Sequence, residues 1–339
     1  MTGEYIVLNR LFGWDLEDPE ALQKLLQVMT LTLVIPSYAG ILILFSMCLR
    51  WFVRPPWRRI PLLLALAFGT QLPGYSAEVN NHLPAAFMLL LSVYLALGMG
   101  LGHLSPKPWR FILFGLAGGL TFTFDLPMTV FVAMSGLYLL LRFPREAVIF
   151  GGLGMLVPLG VHFGIMIAVT GSPMPVQMDQ NNFLFESSFW RNPGGIDGLS
   201  EPKGTYLFHL TIGRQGGFLL FPVLLTGVAG VAMALLRRDT PFRGAILAGA
   251  LGFVLLTAYY VVRTNNYGGA SYGFRWYLGA MSLVLLMSAP VVNRMNARWT
   301  WAIWTFLLAV SMYSAWECYQ TPWGENLEWT SRYFFGPSY

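Results

Sequence analysis

The sequence predicts an all-α, polytopic transmembrane helical protein of about ten spans, with its polar loops gathered on one side of the bilayer. Two observations carry that expectation. Hydrophobic residues make up 55% and charged residues 11% of the 339-residue chain, whereas soluble domains carry roughly 25% charged residues; so little polar surface does not cover a water-soluble globule. The apolar residues also form runs, such as 147–170, 216–236 and 244–262, each close to the roughly 20 residues that cross a bilayer as a helix.

Taken in order, a polar segment over 1–25 comes first. It holds Glu4, Asp15, Glu17, Asp18 and Glu20 and lacks the basic start and apolar core of a signal peptide. Spans follow at 26–49, 60–76, 83–101, 111–124, 126–141, 147–170, 216–236, 244–262, 275–293 and 299–316. They make one transmembrane domain over 26–316 with a long loop at 171–215, followed by an aromatic-rich tail at 317–339. The two short segments flanking Asp125 read either as a hairpin or as one helix broken at Pro127.

Charge sets the expected orientation. The loop with Arg50, Arg54, Arg58 and Arg59 has no acid, and every second loop after it is also basic: Lys107 and Arg110; Arg142 and Arg145; Arg237, Arg238 and Arg243; Arg294 and Arg298. Those thirteen basic residues face only Glu146 and Asp239, so this side is expected to be cytoplasmic and both termini outside. An acidic start outside, with no span before it, is the pattern expected when a helix precedes it or is supplied separately. The net charge of +5 does not point to nucleic acid, because the basic residues sit singly or in pairs at helix ends. Cys48 and Cys318 fall at opposite faces and are not expected to pair.

Ionisable and amide groups beside hydrocarbon are costly unless they pair or serve a function, which directs attention to four outer clusters. In the first, Glu78, Asn80, Asn81 and His82 are compressed between two spans. Glu78 and His82 form an i, i+4 pair if helical, suited to metal ligation or to a carboxylate-oriented imidazole; the competing reading is a polar turn with an asparagine cap. The second is Asp125, a candidate catalytic carboxylate or a helix N-cap. In the third, at the end of the long loop, Tyr206 to Ile212 reads as a short interfacial helix, offering His209 and Arg214 to an anionic head group or serving as a plain anchor. In the fourth, Asn265, Asn266 and Arg275 flank a glycine-rich stretch; an arginine on this side suits phosphate binding or snorkels to the interface. His103 and His162 read as structural. No phosphate-binding glycine loop, HExxH, CxxC or GxSxG occurs.

Several short clusters lie in register with the spans: Leu11-Phe12-Gly13-Trp14-Asp15-Leu16, Asn80-Asn81-His82-Leu83-Pro84-Ala85-Ala86, Asp125-Leu126-Pro127, Tyr206-Leu207-Phe208-His209, and Asn266-Tyr267-Gly268-Gly269 with Gly273-Phe274-Arg275-Trp276. Together they resemble bacterial polytopic membrane proteins of the GT-C glycosyltransferase superfamily. The resemblance implies a GT-C-like fold in the bacterial inner membrane. It also implies sugar transfer from a polyprenyl-phosphate donor to an acceptor on the extracytoplasmic face. Members typically begin with one further helix and a first outer loop carrying an acidic catalytic residue; this sequence starts after both, so a separately encoded N-terminal helix or another membrane subunit is an expected partner, beside membrane lipids. On this reading Glu78, His82 and Asp125 are the candidate catalytic residues. Asn80, Asn81, His209, Arg214, Asn265, Asn266 and Arg275 are the candidates for binding substrate. A divalent cation is the one cofactor the pattern admits, with no ligand set fixed. The alternatives are a noncatalytic or partner-dependent membrane subunit, and a transporter or flippase of a lipid-linked substrate, against which stands the lack of an internal repeat.

Overall fold

The computed structural model describes residues 2–14, 17–174, 186, 201–264, 266–323 and 328–336; among them there are helices and no strand. Helix α1 spans Thr2–Phe12. Helix α2, Pro19–Phe52, runs 34 residues with a π-helical turn at Thr30–Val34. It starts where local chemistry dictates: Asp18 accepts the Glu20 N–H at 3.0 Å, and Pro19 occupies the first turn, where its missing N–H costs nothing. Then come α3 (Pro56–Phe68), α4 (Leu72–Tyr75), α5 (His82–Gly100), α6 (Pro108–Phe124), α7 (Leu126–Arg142) and α8 (Pro144–Thr170). After the long loop follow α9 (Lys203–Thr211), α10 (Gly217–Leu220), α11 (Pro222–Leu236), α12 (Arg243–Arg263), α13 (Arg275–Arg294) and α14 (Arg298–Gln320), with a last π-helical turn at Ser331–Phe335.

Five of these helices, α2, α5, α8, α12 and α13, are long and apolar enough to cross a membrane, and α7 and α11 are shorter apolar helices. Burial sorts the five. The apolar windows of α5 and α13 are 72% and 83% buried, against 11% for α8 and 22% for α12, so α5 and α13 form the centre and α8 and α12 the flanks. Along α8, Val148, Leu153, Leu156, Val157, Val161, Ile165 and Val169 are all exposed. An apolar surface that extensive matches hydrocarbon as its solvent. Helices α6 and α8 cross where both lack side chains: a Cβ on Gly115 would lie 1.9 Å from the Gly151 carbonyl oxygen, and one on Gly154 would lie 2.0 Å from that of Ile112. Such close backbone approach gives the van der Waals contact on which helix pairs of this kind pack.

Several boundaries differ from the hydropathy reading. The first long helix begins at Pro19, so the division at residue 25 falls inside it; α14 continues to Gln320, past 316. The segment 60–76 is two helices, because α3 stops at its Gly69 cap and a new turn starts at Leu72-Pro73. The segment 216–236 divides before Pro222 in the same way. At Asp125 the chain breaks between α6 and α7, with a 3-10 turn over Leu126–Met128.

Contacts gather the loops at two ends of the bundle. At one end Arg58 donates to the carbonyls of Val292 (3.1 Å) and Asn293 and to Asn296 Oδ1 (2.7 Å), Asn293 donates to the Phe52 carbonyl (2.8 Å), Arg142 donates to that of Gly100 (2.8 Å), and Arg294 meets Asp239 at 3.8 Å. This is the basic end. Cys48 and Cys318 are buried and unpaired. At the opposite end lie the four polar clusters, together with the C-terminal segment.

Candidate functional site

The first cluster is organised by asparagine. Asn80 Oδ1 accepts the Leu83 N–H (2.9 Å) while its Nδ2 donates to the Tyr75 and Glu78 carbonyls (2.8 and 2.7 Å), so it closes the turn and caps α5. Asn81 Nδ2 donates to the Phe124 carbonyl at 2.6 Å, which holds the start of α5 against the end of α6. His82, the next residue, is thereby set beside Asp125, and Nδ1 lies 2.9 Å from Oδ2.

Asp125 has φ −150° and ψ 89° between the two helices, and no side-chain capping hydrogen bond. Its backbone serves the break, with N–H to the Thr121 carbonyl (2.8 Å) and C=O from the Met128 N–H (3.1 Å); its side chain is released toward the imidazole. Both side chains are nearly buried, at 9% and 6% exposure. An ionised carboxylate only accepts, so Nδ1 donates to Asp125, and in the neutral imidazole the lone pair is then on Nε2. That arrangement presents an oriented base. Tyr260 on α12 lies within electrostatic range of Asp125 and stacks on Trp276 at 5.1 Å.

The i, i+4 pairing of Glu78 with His82 is not formed. Glu78 is exposed in a bend, outside any helix, and the histidine's carboxylate partner comes from a distant helix end. Asn80 and Asn81 use their amide groups in the backbone contacts above. Among the described residues no group of three His, Cys, Asp or Glu side chains is placed to hold a metal ion, so the suggested divalent cation has no ligand set here.

The expected interfacial helix is α9. Its Tyr206 hydroxyl meets Thr264 Oγ1 (2.7 Å) and the Asn266 carbonyl (2.6 Å), and Lys203 donates to the Thr264 carbonyl (2.7 Å). Asn266 Oδ1 accepts the Gly268 N–H at 2.9 Å; Asn265 lies outside the described residues. His209 is buried, and its Nδ1 accepts the Arg214 N–H at 3.2 Å. Burial, reinforced by the Arg214 charge, lowers its pKa, which favours the neutral imidazole that accepts this N–H. Arg214 Nε and Gln215 Oε1 are buried without a hydrogen-bond partner among the described residues.

Glu328 escaped the sequence reading, in which the tail was aromatic and interfacial. It is buried, and Oε1 accepts the Gly273 N–H at 2.9 Å. Gly273 has φ +65°, and a Cβ there would sit 2.4 Å from Gln71 Nε2, so only glycine presents its N–H in this way. Burial pushes the Glu328 carboxyl up to about 7, against the opposing pull of that N–H. Around it the tail is anchored: Tyr75 donates to the Pro322 carbonyl (3.1 Å), Trp329 to Ser314 (2.7 Å), Thr330 to the Arg214 carbonyl, and Arg275 lies over the Trp323 ring at 4.9 Å. The one signal in the sequence was an acid set directly against Trp329, Thr330 and Ser331. A cavity of about 380 Å³ lies at the basic end, away from these clusters. Compared with protein-family models, curated proteins and solved structures, the chain matches none.

Proposed function

We propose that this chain transfers a sugar from a polyprenyl-phosphate carrier to an acceptor hydroxyl, at the end of the bundle opposite the basic loops. In this reading about ten segments cross a bacterial inner membrane in a GT-C-like arrangement, with the basic end cytoplasmic and both termini outside. The observation that carries it is the buried His82–Asp125 pair, the one oriented base and carboxylate among the described residues of that end.

In the proposed reaction Nε2 of His82 takes the acceptor proton while the acceptor oxygen bonds to the anomeric carbon. The bond from that carbon to the phosphate oxygen breaks, and the phosphate leaves with the electron pair. Asp125 stabilises the imidazolium that forms. Arg214 and Arg275 supply charge for the departing phosphate. The noncatalytic-subunit reading is favoured by the near-complete burial of both side chains, which leaves little of the pair open to a substrate.

The test uses the purified full chain in proteoliposomes with labelled polyprenyl-phosphate sugars and membrane-lipid acceptors. His82→Gln and Asp125→Asn should each lower transfer by roughly 10²–10⁴-fold with the fold retained. Unchanged transfer in both variants, or no transfer by the folded parent with any donor offered, would overturn the reading.

A further inference from the structure

We infer that the cavity at the basic end binds an anionic membrane phospholipid, with an acyl chain inside and the phosphate on Arg142. The inference is independent of any transfer at the other end.

The cavity, about 380 Å³, is lined by residues of α2, α5, α7, α12 and α13 and of the turn before α12. Its size falls in the roughly 300–1,000 Å³ range of small-ligand sites. Its walls are mainly apolar, with the polar side chains Ser135, Tyr138, Arg142 and Asn293 among them. An apolar chamber offers water too few partners to hold it, whereas hydrocarbon fits its chemistry.

Filling alone does not select a ligand. Bilayer chains are as apolar as these walls, so a chain moving from one to the other gains little. Selection has to come from the head group, and Arg142 is placed for it. The guanidinium is exposed, lies over the Tyr138 ring at 5.1 Å, and uses Nη1 on the Gly100 carbonyl; no further hydrogen bond of this side chain forms among the described residues, so donors remain among its five N–H groups for a phosphate. Nearby loops carry Arg237, Arg238, Arg243, Arg294 and Arg298, a field that concentrates anionic lipid at this surface.

A second observation marks the same wall. Phe242 is the one non-glycine residue with positive φ among those described (φ 58°, ψ 24°). Its ring meets Phe52 edge-on at 4.5 Å, and both residues line the cavity. A bulky residue held in the left-handed region is strained, and such strain gathers at ligand clamps. The field of basic residues at this end favours the anionic head groups of bulk membrane phospholipid; a polyprenyl carrier is the rival that farnesyl phosphate tests.

The full chain in nanodiscs of neutral phosphatidylcholine is titrated with four probes: dioctanoyl phosphatidic acid, dioctanoylglycerol, farnesyl phosphate and inorganic phosphate, with binding read by native mass spectrometry. Phosphatidic acid should bind at least roughly tenfold more tightly than each of the others, a ratio expected of a charge-assisted contact. Arg142→Gln should remove that preference and leave dioctanoylglycerol unchanged. Ala248→Trp, or Ser135→Phe where the first does not fold, should block the phosphatidic acid by filling the chamber; melting temperatures identify folded variants. Equal binding of phosphatidic acid and dioctanoylglycerol, a preference for farnesyl phosphate, or an unaffected Arg142→Gln variant would each overturn the assignment.

Discussion

The C-terminal segment should dock less firmly as the pH rises, and Glu328 should be the reason. Its carboxyl is shifted from 4.5 to about 7 by burial, a displacement worth ~3 kcal/mol. The folded value lies above the unfolded one, so the stabilisation is complete below about pH 4.5 and is lost progressively as pH climbs to about 7. Above that, a charged carboxylate sits buried, with the Gly273 N–H donating to it. Glu328→Gln keeps an oxygen to accept that N–H and carries no charge. In detergent micelles, exchange of the Gly273 amide, corrected for intrinsic rate, should lose protection in the parent between about pH 5 and about pH 8 and stay nearly level in the variant. At the upper end the variant should be the better protected, by up to ~3 kcal/mol. Parallel pH profiles, or a variant that is less protected at high pH, would show that burial of this carboxyl does not govern the tail.

Two further expectations concern packing. Gly115→Leu must push α6 away from α8, since even its Cβ would meet the Gly151 carbonyl at 1.9 Å; a loss of at least ~2 kcal/mol should appear in thermal unfolding, and an unchanged midpoint would mean that the crossing is looser than described. Arg58→Met strips three acceptors at the end of α13 and the turn after it, so denaturant unfolding should show a loss of ~2–4 kcal/mol. Arg58→Lys should recover only part of it, because an ammonium does not fork.

The helical class, with helices long and apolar enough to cross a membrane, was legible because composition and run length depend on local residue type alone. The helix start at Pro19 was also written locally, in Asp18-Pro19-Glu20, but hydropathy placed it later, since an amphipathic first turn looks like a loop on that scale. His82 and Asp125 were both singled out, yet the histidine was given its near neighbour Glu78 as partner. The true pairing spans 43 residues and depends on how the ends of α5 and α6 meet, which no spacing rule encodes. The backbone partners of Asn80 and Asn81 likewise come from the fold, since an asparagine looks the same in sequence whatever its amide meets. Glu328 and the basic-end cavity were hidden for opposite reasons. The first is a single acid whose burial comes from segments far away in sequence, and the second is built from ordinary apolar residues of five helices.

The two cysteines now have a use that their chemistry alone does not suggest. Cys48 is fully buried one turn before the end of α2 at the basic end, while Cys318 is fully buried against Gly74 at the other. Each thiol becomes reactive only when its own end opens. Alkylation followed residue by residue therefore turns the natural chain into a two-channel reporter, in which loosening of the tail and loosening of the basic end are timed separately without adding a probe.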